Sequence, residues 1–170
     1  MFKKLDPKIN LELTLAIISG ISALLLSIVN NITAPVIEKN RQEQTLELYS
    51  ELFEDMSEYE EIDAKNVDKM TTVLKGDEEL GVICEASGRN GYGTITALVG
   101  FDLDNNIVGI QYSNFNQTPG FGDKVKNQEY VKKQYVGDTA SAVDADTASG
   151  ATYSSKLVFE LASKCASEVE

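Results

Sequence analysis

The strongest constraint on the fold is a run of 25 residues without a charged side chain, from Leu13 to Ile37. As a helix that rises about 1.5 Å per residue, the run is about 37 Å long and can cross a hydrocarbon core of about 30 Å. A cleaved signal peptide is the alternative, but its apolar region is usually shorter, and NNITAPVIEKN offers a poor cleavage site. The sequence therefore predicts a retained transmembrane helix within residues 1–37.

Basic residues flank the uncharged run on both sides. Lys3, Lys4 and Lys8 precede it, whereas Lys39 and Arg41 follow it. Because positive residues favour the cytoplasmic side of a membrane, this slight excess predicts a cytoplasmic N-terminus. The globular part is then expected on the outer face of the membrane.

Charge and residue content exclude several kinds of chemistry. A net charge of −12 argues against a nucleic-acid surface, which needs clustered Lys and Arg. The chain has no histidine, which excludes Ser-His-Asp and Cys-His nucleophiles as well as His-ligated zinc and haem. Cys84 and Cys165 are too far apart for a redox CxxC pair, and their apolar surroundings favour two buried thiols over a disulfide. Any electron chemistry must use an organic cofactor.

Residues 38–70 are predicted to form a helical linker and a loop. After Pro35, the segment VIEKNRQEQTLELYSELFED places apolar residues such as Leu48 and Leu52 at helical spacing. The acidic segment SEYEEIDAKNVDKM has no clear period and is predicted to be a loop.

Residues 71–170 are predicted to form one compact α+β domain, with an antiparallel sheet and flanking helices. The predicted strands are 71–75, 80–87, 94–102 and 107–114. The loop QTPGFGDK, a short helix in KNQEYVKKQY and a C-terminal helix follow. The apolar stripe of that last helix comprises Leu157, Val158, Leu161, Ala162 and Cys165.

A Ser-Gly-Ala-Thr step, Ser149 to Thr152, directly precedes the C-terminal helix. A helix start presents unpaired N–H groups and a partial positive charge, which together favour an anion. Gly150 and Ala151 let a bulky ligand approach the backbone, and Thr152 offers a hydroxyl where a phosphate would be held. Asp146 could cap N–H groups or bind a metal. On these residues alone, helix capping by Ser, Thr and Asp is the simpler interpretation.

Two glycine-rich segments border the predicted sheet, GRNGYG at 88–93 and TPGFG at 118–122. Such backbone lets a flat ring or a phosphate approach closely. Ordinary turn chemistry is the alternative interpretation of both segments.

The anchor followed by GYGTITALVGFD, IVGIQYSNFNQTPGFGDK and DADTASGATYSS resembles the membrane-anchored flavin-binding domain of the G subunit of the Rnf electron-transport complex. The C subunit of the sodium-pumping NADH:quinone reductase is a related family, but its members are usually longer than this chain. The resemblance implies an FMN joined by a phosphoester bond to the Thr152 hydroxyl. A separate flavin transferase is then expected to recognise residues 146–152.

The resemblance also implies which residues surround the flavin ring. These residues are Thr118, Pro119, Gly120 and Gly122 of the T-P-G-x-G loop, with Tyr92 from the G-Y-G turn and Lys124 as a supporting residue. The family often has a His and a Glu shortly before T-P-G, where this chain has Phe115 and Gln117. Polar tuning of the flavin at that edge is therefore not expected.

By this resemblance the chain is an electron-transfer subunit of an ion-translocating ferredoxin:NAD⁺ oxidoreductase, which acts with neighbouring subunits and is not catalytic alone. An anchored flavoprotein that serves another electron route is one alternative. A membrane-tethered binding or scaffold domain without redox chemistry is the other, and in that case the threonine motif only caps a helix.

Overall fold

The computed structural model describes residues 7–120 and 122–169. Its first element is helix α1, Pro7–Leu52, and the apolar side chains between Leu11 and Ile37 are exposed along it. Within the described residues, α1 is the one helix that is long and apolar enough to cross a membrane. Pro35 lies inside α1, which continues past it, so the predicted anchor and the predicted linker helix are one element.

By its internal contacts, the chain divides into two compact units, residues 1–43 and residues 44–170. The second unit is built on a five-stranded antiparallel sheet in which the strands pair in chain order. The strands are β1 Glu58–Ile62, β2 Lys69–Lys75, β3 Glu78–Asn90, β4 Gly93–Asp102 and β5 Ile107–Gln117. The four predicted strands are confirmed, and each extends somewhat beyond its predicted bounds.

The prediction of a loop between residues 57 and 70 was wrong for β1. Glu58–Ile62 pair with β2 at the edge of the sheet, and four of these five residues are exposed. The Tyr59 ring packs edge-on against Tyr49, with 5.4 Å between ring centroids. Because one face of this edge strand meets solvent, Tyr59 is enough to anchor it. The charged side chains of an edge strand discourage pairing with other chains. Because most residues of β1 are exposed, its sequence lacks the alternation of apolar and polar residues by which a strand is recognised.

The two faces of the sheet carry separate apolar clusters. On one face, Tyr49 and Phe53 pack against Val73, Ile83 and Leu98. On the other face lies helix α4, Thr152–Val169, whose predicted stripe is buried as expected. The cluster under α4 also holds Cys84, Ala86, Ile95, Ala97, Val99, Phe101, Ile107 and Ile110. Burial of these side chains is the main source of stability of this unit.

Both cysteines are buried free thiols, as predicted. The Cys165 thiol donates a hydrogen bond to the Cys84 carbonyl oxygen at 3.5 Å. The neighbouring Cys84 thiol and burial raise the pKa of Cys165 far above its ordinary value, so this sulfur stays protonated.

Short helices connect the sheet to α4. The predicted short polar helix is confirmed as α3, Gln128–Gln134, whose N-terminal N–H groups are capped by the Asn127 side chain. A single further turn, α2 Asp123–Lys126, precedes it and was not predicted. A 3₁₀ turn at Ala140–Ala142 follows.

Candidate functional site

The N-terminus of α4 lacks a side-chain cap among the described residues. Helix α4 starts at Thr152, and Ala151 before it has a methyl group that accepts no hydrogen bond. The capping expected from Ser149, Thr152 or Asp146 is therefore not formed in the described part of the chain. No described residue accepts a hydrogen bond from the backbone N–H of Thr152 or Tyr153. The first turn of α4 thus offers donors and a positive dipole end to an anion.

The Thr152 side chain is exposed, and its hydroxyl has no hydrogen-bond partner among the described residues. Gly150, two residues earlier, has φ +81°, a left-handed conformation that favours glycine. The Lys124 ammonium donates a hydrogen bond to the Ser149 carbonyl oxygen. The ammonium nitrogen of Lys124 lies 3.6 Å from the position that a Cβ on Gly150 would take. A positive charge therefore lies beside the backbone that leads to the Thr152 hydroxyl.

The G-Y-G turn and the T-P-G loop are held together by hydrogen bonds. Gly91 and Tyr92 connect β3 to β4, and Thr118 directly follows β5. The Thr118 backbone N–H and hydroxyl both donate to the Tyr92 carbonyl oxygen, at 3.0 and 3.3 Å. The structure thus brings together two segments that lie 26 residues apart in the sequence.

Asn90 joins the G-Y-G turn to the first turn of α4. Its side-chain oxygen accepts the Tyr92 N–H at 2.9 Å, and its side-chain nitrogen donates to the Tyr153 carbonyl oxygen at 3.2 Å. The rings of Tyr92 and Tyr153 lie 5.6 Å apart between centroids, at an interplanar angle of 55°. Sequence reasoning missed Asn90 and Tyr153, although both lie within the motifs that it singled out.

A cavity of about 210 Å³ lies between these segments. Its walls are formed by Tyr92, Gly150, Ala151, Thr152 and Tyr153. The predicted phosphate attachment residue and the predicted ring neighbour Tyr92 therefore face the same space. Two of the described lining residues are tyrosines and two are small, which suits a flat aromatic ligand with a phosphate at one end.

The described residues of the T-P-G loop, 118–120 and 122, do not line this cavity. Gly120 donates its N–H to the Asp123 carboxylate at 3.0 Å, which fixes the loop at the start of α2. Gly122 packs on Phe115, whose ring would lie 2.9 Å from an added Cβ. Neither Thr118 nor Pro119 lines the cavity.

Asp146 lies outside the cavity and is held by its backbone. Its N–H donates to the Gln134 side chain at 2.8 Å, and its carbonyl oxygen accepts from the Tyr130 hydroxyl at 2.6 Å. The residue itself is exposed. Asp146 therefore presents its carboxylate to solvent on the segment that leads to Thr152, where another protein can reach it.

The two residues that depart from the family pattern have different environments. The Phe115 ring packs edge-on against Tyr112, with 5.1 Å between centroids, and the Lys126 ammonium lies 5.9 Å from its centre. The Gln117 side-chain oxygen accepts from the Ser154 hydroxyl at 3.0 Å, which ties the end of β5 to α4. The Gln117 side-chain nitrogen is buried and unpaired among the described residues.

Two buried tyrosines of the core under α4, Tyr112 and Tyr135, have perturbed pKa values. The buried Tyr112 hydroxyl donates to the Val125 carbonyl oxygen at 3.1 Å. Burial raises the pKa of Tyr112 and of Tyr135 well above the ordinary tyrosine value, so both phenols stay protonated. No three acidic or cysteine side chains cluster as metal ligands in residues 7–120 and 122–169.

These observations agree with a flavin phosphate at the start of α4. The exposed Thr152 hydroxyl, the Lys124 ammonium and two backbone N–H groups for which no described residue is an acceptor suit the phosphate end. The aromatic wall of the cavity suits a flat ring. The residues that are present therefore fit the group that the sequence predicts.

Comparison with known proteins identifies both parts of the chain. A model of the FMN-binding domain matches residues 91–167, and a model of the RnfG N-terminal region matches residues 13–52. The first match spans β4, β5 and most of α4 together with the cavity. The second lies wholly within α1. The two parts follow each other in the order that the sequence predicts.

Several curated proteins are similar to this chain at low identity. The G subunit of the ion-translocating oxidoreductase complex of Cronobacter sakazakii is 25% identical over 127 residues, which cover 68% of this chain and 61% of that protein. The G subunit of the Na⁺-translocating ferredoxin:NAD⁺ oxidoreductase complex of Acetobacterium woodii is 27% identical over 142 residues, or 72% and 69% of the two chains. The corresponding protein of Erwinia tasmaniensis is 29% identical over 127 residues, or 66% and 60%. The chain thus spans about three fifths of the Cronobacter and Erwinia relatives.

Proposed function

With an RnfG N-terminal region followed by an FMN-binding domain, the chain belongs to the RnfG family, and we propose that it is an FMN-carrying redox subunit of an ion-translocating ferredoxin:NAD⁺ oxidoreductase complex. The names of the relatives from Cronobacter and Acetobacterium support this complex. The observation that carries the proposal is the exposed Thr152 hydroxyl at the start of α4, which no described side chain caps, on the wall of a cavity that Tyr92 and Tyr153 also line.

In this proposal the FMN is attached covalently, by a phosphoester to the Thr152 hydroxyl. The hydroxyl is accessible and has no partner among the described residues that would have to be displaced. The phosphoester keeps one negative charge, which the N-terminus of α4 and the Lys124 ammonium favour. A covalent bond retains the cofactor on the outer face of a membrane, where retention cannot depend on a pool of free flavin.

FMN supplies electron transfer in one- and two-electron steps, and the protein supplies position and electrostatics. Gly150 and Ala151 leave space beside the backbone, and Tyr92 also lines the cavity. Thr118 fixes the Tyr92 carbonyl, so the T-P-G loop holds the wall in place. Pro119, Gly120 and Gly122 shape that loop. No acid–base residue is needed for this task, which agrees with a chain that has no histidine.

In this proposal a separate flavin transferase makes the bond from a flavin dinucleotide. The Thr152 oxygen bonds to the phosphorus of the FMN half, the bond from that phosphorus to the bridging oxygen breaks, and the other half leaves as a nucleoside monophosphate, while the hydroxyl proton is released. Residues 146–152 are the segment that the transferase recognises. This segment has no strand and reaches α4 only at Thr152, and most of its side chains are exposed. Asp146 is anchored by its backbone to Gln134 and Tyr130, which leaves the carboxylate available to a partner.

Helix α1 anchors the domain in the membrane in this proposal. Its apolar side chains between Leu11 and Ile37 are exposed, as expected for contact with lipid. The basic residues before this run favour a cytoplasmic N-terminus, which places the FMN domain on the outer face. The other subunits of the complex are then the electron donor and acceptor.

The test replaces Thr152 by Val in the full chain, co-expressed with a flavin transferase. Valine is similar in size but has no nucleophilic oxygen, so we expect complete loss of flavin with a change in stability below about 1 kcal/mol. The measurement is flavin fluorescence of the denatured band on a gel, because only a covalent flavin survives denaturation.

Thr147→Val is the matched control, since Thr147 is an exposed threonine five residues away in the same segment. This control is expected to keep the fluorescence of the parent. A fluorescent Thr152→Val band would contradict attachment at Thr152. Equal loss in both variants would assign the effect to recognition of the segment.

A further inference from the structure

Tyr153 is an exposed aromatic residue whose ring contacts Tyr92 and which belongs to neither apolar cluster of the described residues. It lies in the first turn of α4, directly after Thr152, and 64% of its surface is exposed. The other large side chains early in α4, such as Leu157 and Val158, are buried in the core. Exposing a tyrosine ring to water loses the benefit of burying it. Its position beside the proposed attachment residue indicates a ligand contact.

The Tyr153 backbone and ring are positioned by specific contacts. Asn90 donates to the Tyr153 carbonyl and accepts the Tyr92 N–H, so one side chain fixes both aromatic residues. The two rings meet at 5.6 Å and 55°, and both line the cavity that Thr152 borders. Two aromatic side chains thus bound the space next to the hydroxyl.

We infer that Tyr153 is a positioning residue which, together with Tyr92, binds the isoalloxazine ring of the FMN attached to Thr152; this inference rests on the proposed function. Aromatic rings attract one another in offset or tilted arrangements, and a flavin ring is a large flat aromatic system. A phosphoester at Thr152 makes this contact intramolecular, so the effective concentration of the ring near Tyr153 is high. Even a weak contact is then well populated.

The test compares Tyr153→Leu with the conservative Tyr153→Phe in the full chain loaded with FMN in a host that contains a flavin transferase. The readout is the fluorescence anisotropy of the flavin, measured on samples with equal FMN content. Leucine keeps apolar volume but removes the ring, so we expect lower anisotropy, with the free-ring population raised by a factor of about 2 to 10. Tyr153→Phe keeps the ring and is expected to keep the anisotropy of the parent.

Each of the other outcomes of this anisotropy experiment contradicts a different part of the proposal. A loaded Tyr153→Leu chain with the anisotropy of the parent would overturn the role of Tyr153 and leave the proposed function intact. If Tyr153→Leu takes up no FMN while Tyr153→Phe does, Tyr153 is needed for recognition during attachment, and its proposed role in positioning the ring is wrong. A parent chain without FMN would overturn the proposed function and this inference with it.

Discussion

At the scale of single residues, a few polar side chains hold the second unit together by accepting or donating several hydrogen bonds. Asn90 links Tyr92 to Tyr153. At the far end of α4, the Glu168 carboxylate accepts the Lys65 N–H at 2.7 Å and the Asn66 side-chain N–H at 2.7 Å. Charge-assisted hydrogen bonds of this kind fix segments that have few apolar contacts.

We predict that Glu168 makes stability depend on pH in the acidic range. The bond from the Lys65 N–H, followed by those from Asn66, lowers the pKa of Glu168 below its ordinary value of 4.5. The stabilisation is therefore present above pH 4.5 and is lost as the pH falls through the lower folded-state value. Compared with Glu168→Gln, the parent is expected to be more stable at about pH 7, and the gap is expected to shrink at about pH 3.5.

The measurement is the urea midpoint of parent and variant at both pH values. Glu160→Gln is the matched control, because Glu160 is exposed on the same helix and has no hydrogen-bond partner among the described residues. A parent–Glu168→Gln difference that is the same at both pH values would contradict the role of the carboxylate.

At the scale of elements, the pairing of β3, β4 and β5 places the G-Y-G turn beside the T-P-G loop. Gly93 lies opposite Asn90 on β3 and opposite Gln117 on β5. It has φ +140°, and an added Cβ would lie 1.8 Å from the Asn116 carbonyl oxygen. The close approach of the strands therefore depends on glycine at this position.

We predict that Gly93→Ala destabilises the domain by about 2 to 4 kcal/mol, because the methyl group separates β4 from β5. Gly91→Ala is the matched control in the same hairpin, since no atom of the described residues lies within 4 Å of an added Cβ and its φ is not positive. It is expected to change stability by less than about 0.5 kcal/mol. Urea unfolding followed by circular dichroism measures both, and similar values for the two variants would show that the pairing tolerates a side chain here.

The elements differ in how far sequence determines them. The strands β2 to β5 and helix α4 are predictable because burial on one or both faces imposes a clear apolar pattern. Strand β1 is not, because its register depends on Tyr59 reaching Tyr49 across the fold while its glutamates face water. The single turn α2 is too short to show a helical period.

At the scale of the whole molecule, the site combines one strong local motif with contacts that form only on folding. Thr152 and Tyr92 are assigned to the site through the resemblance of their segments to the family, because on the residues alone helix capping and ordinary turn chemistry are the simpler interpretations. Asn90 and Tyr153 are 63 residues apart in sequence, so no local pattern shows that they meet. The proposed anchoring of this site by α1 places an electron carrier at a membrane surface.

The central claim is that the Thr152 oxygen carries the FMN phosphate, and mass spectrometry of the full chain tests it most directly. The chain is extracted from membranes of cells that contain a flavin transferase and is then digested. We expect the peptide that contains Thr152 to be heavier than the unmodified peptide by the mass of one FMN less one water. Fragment ions are expected to place the added mass on Thr152. An unmodified Thr152 peptide from such cells, or the same added mass on another residue, would contradict the claim.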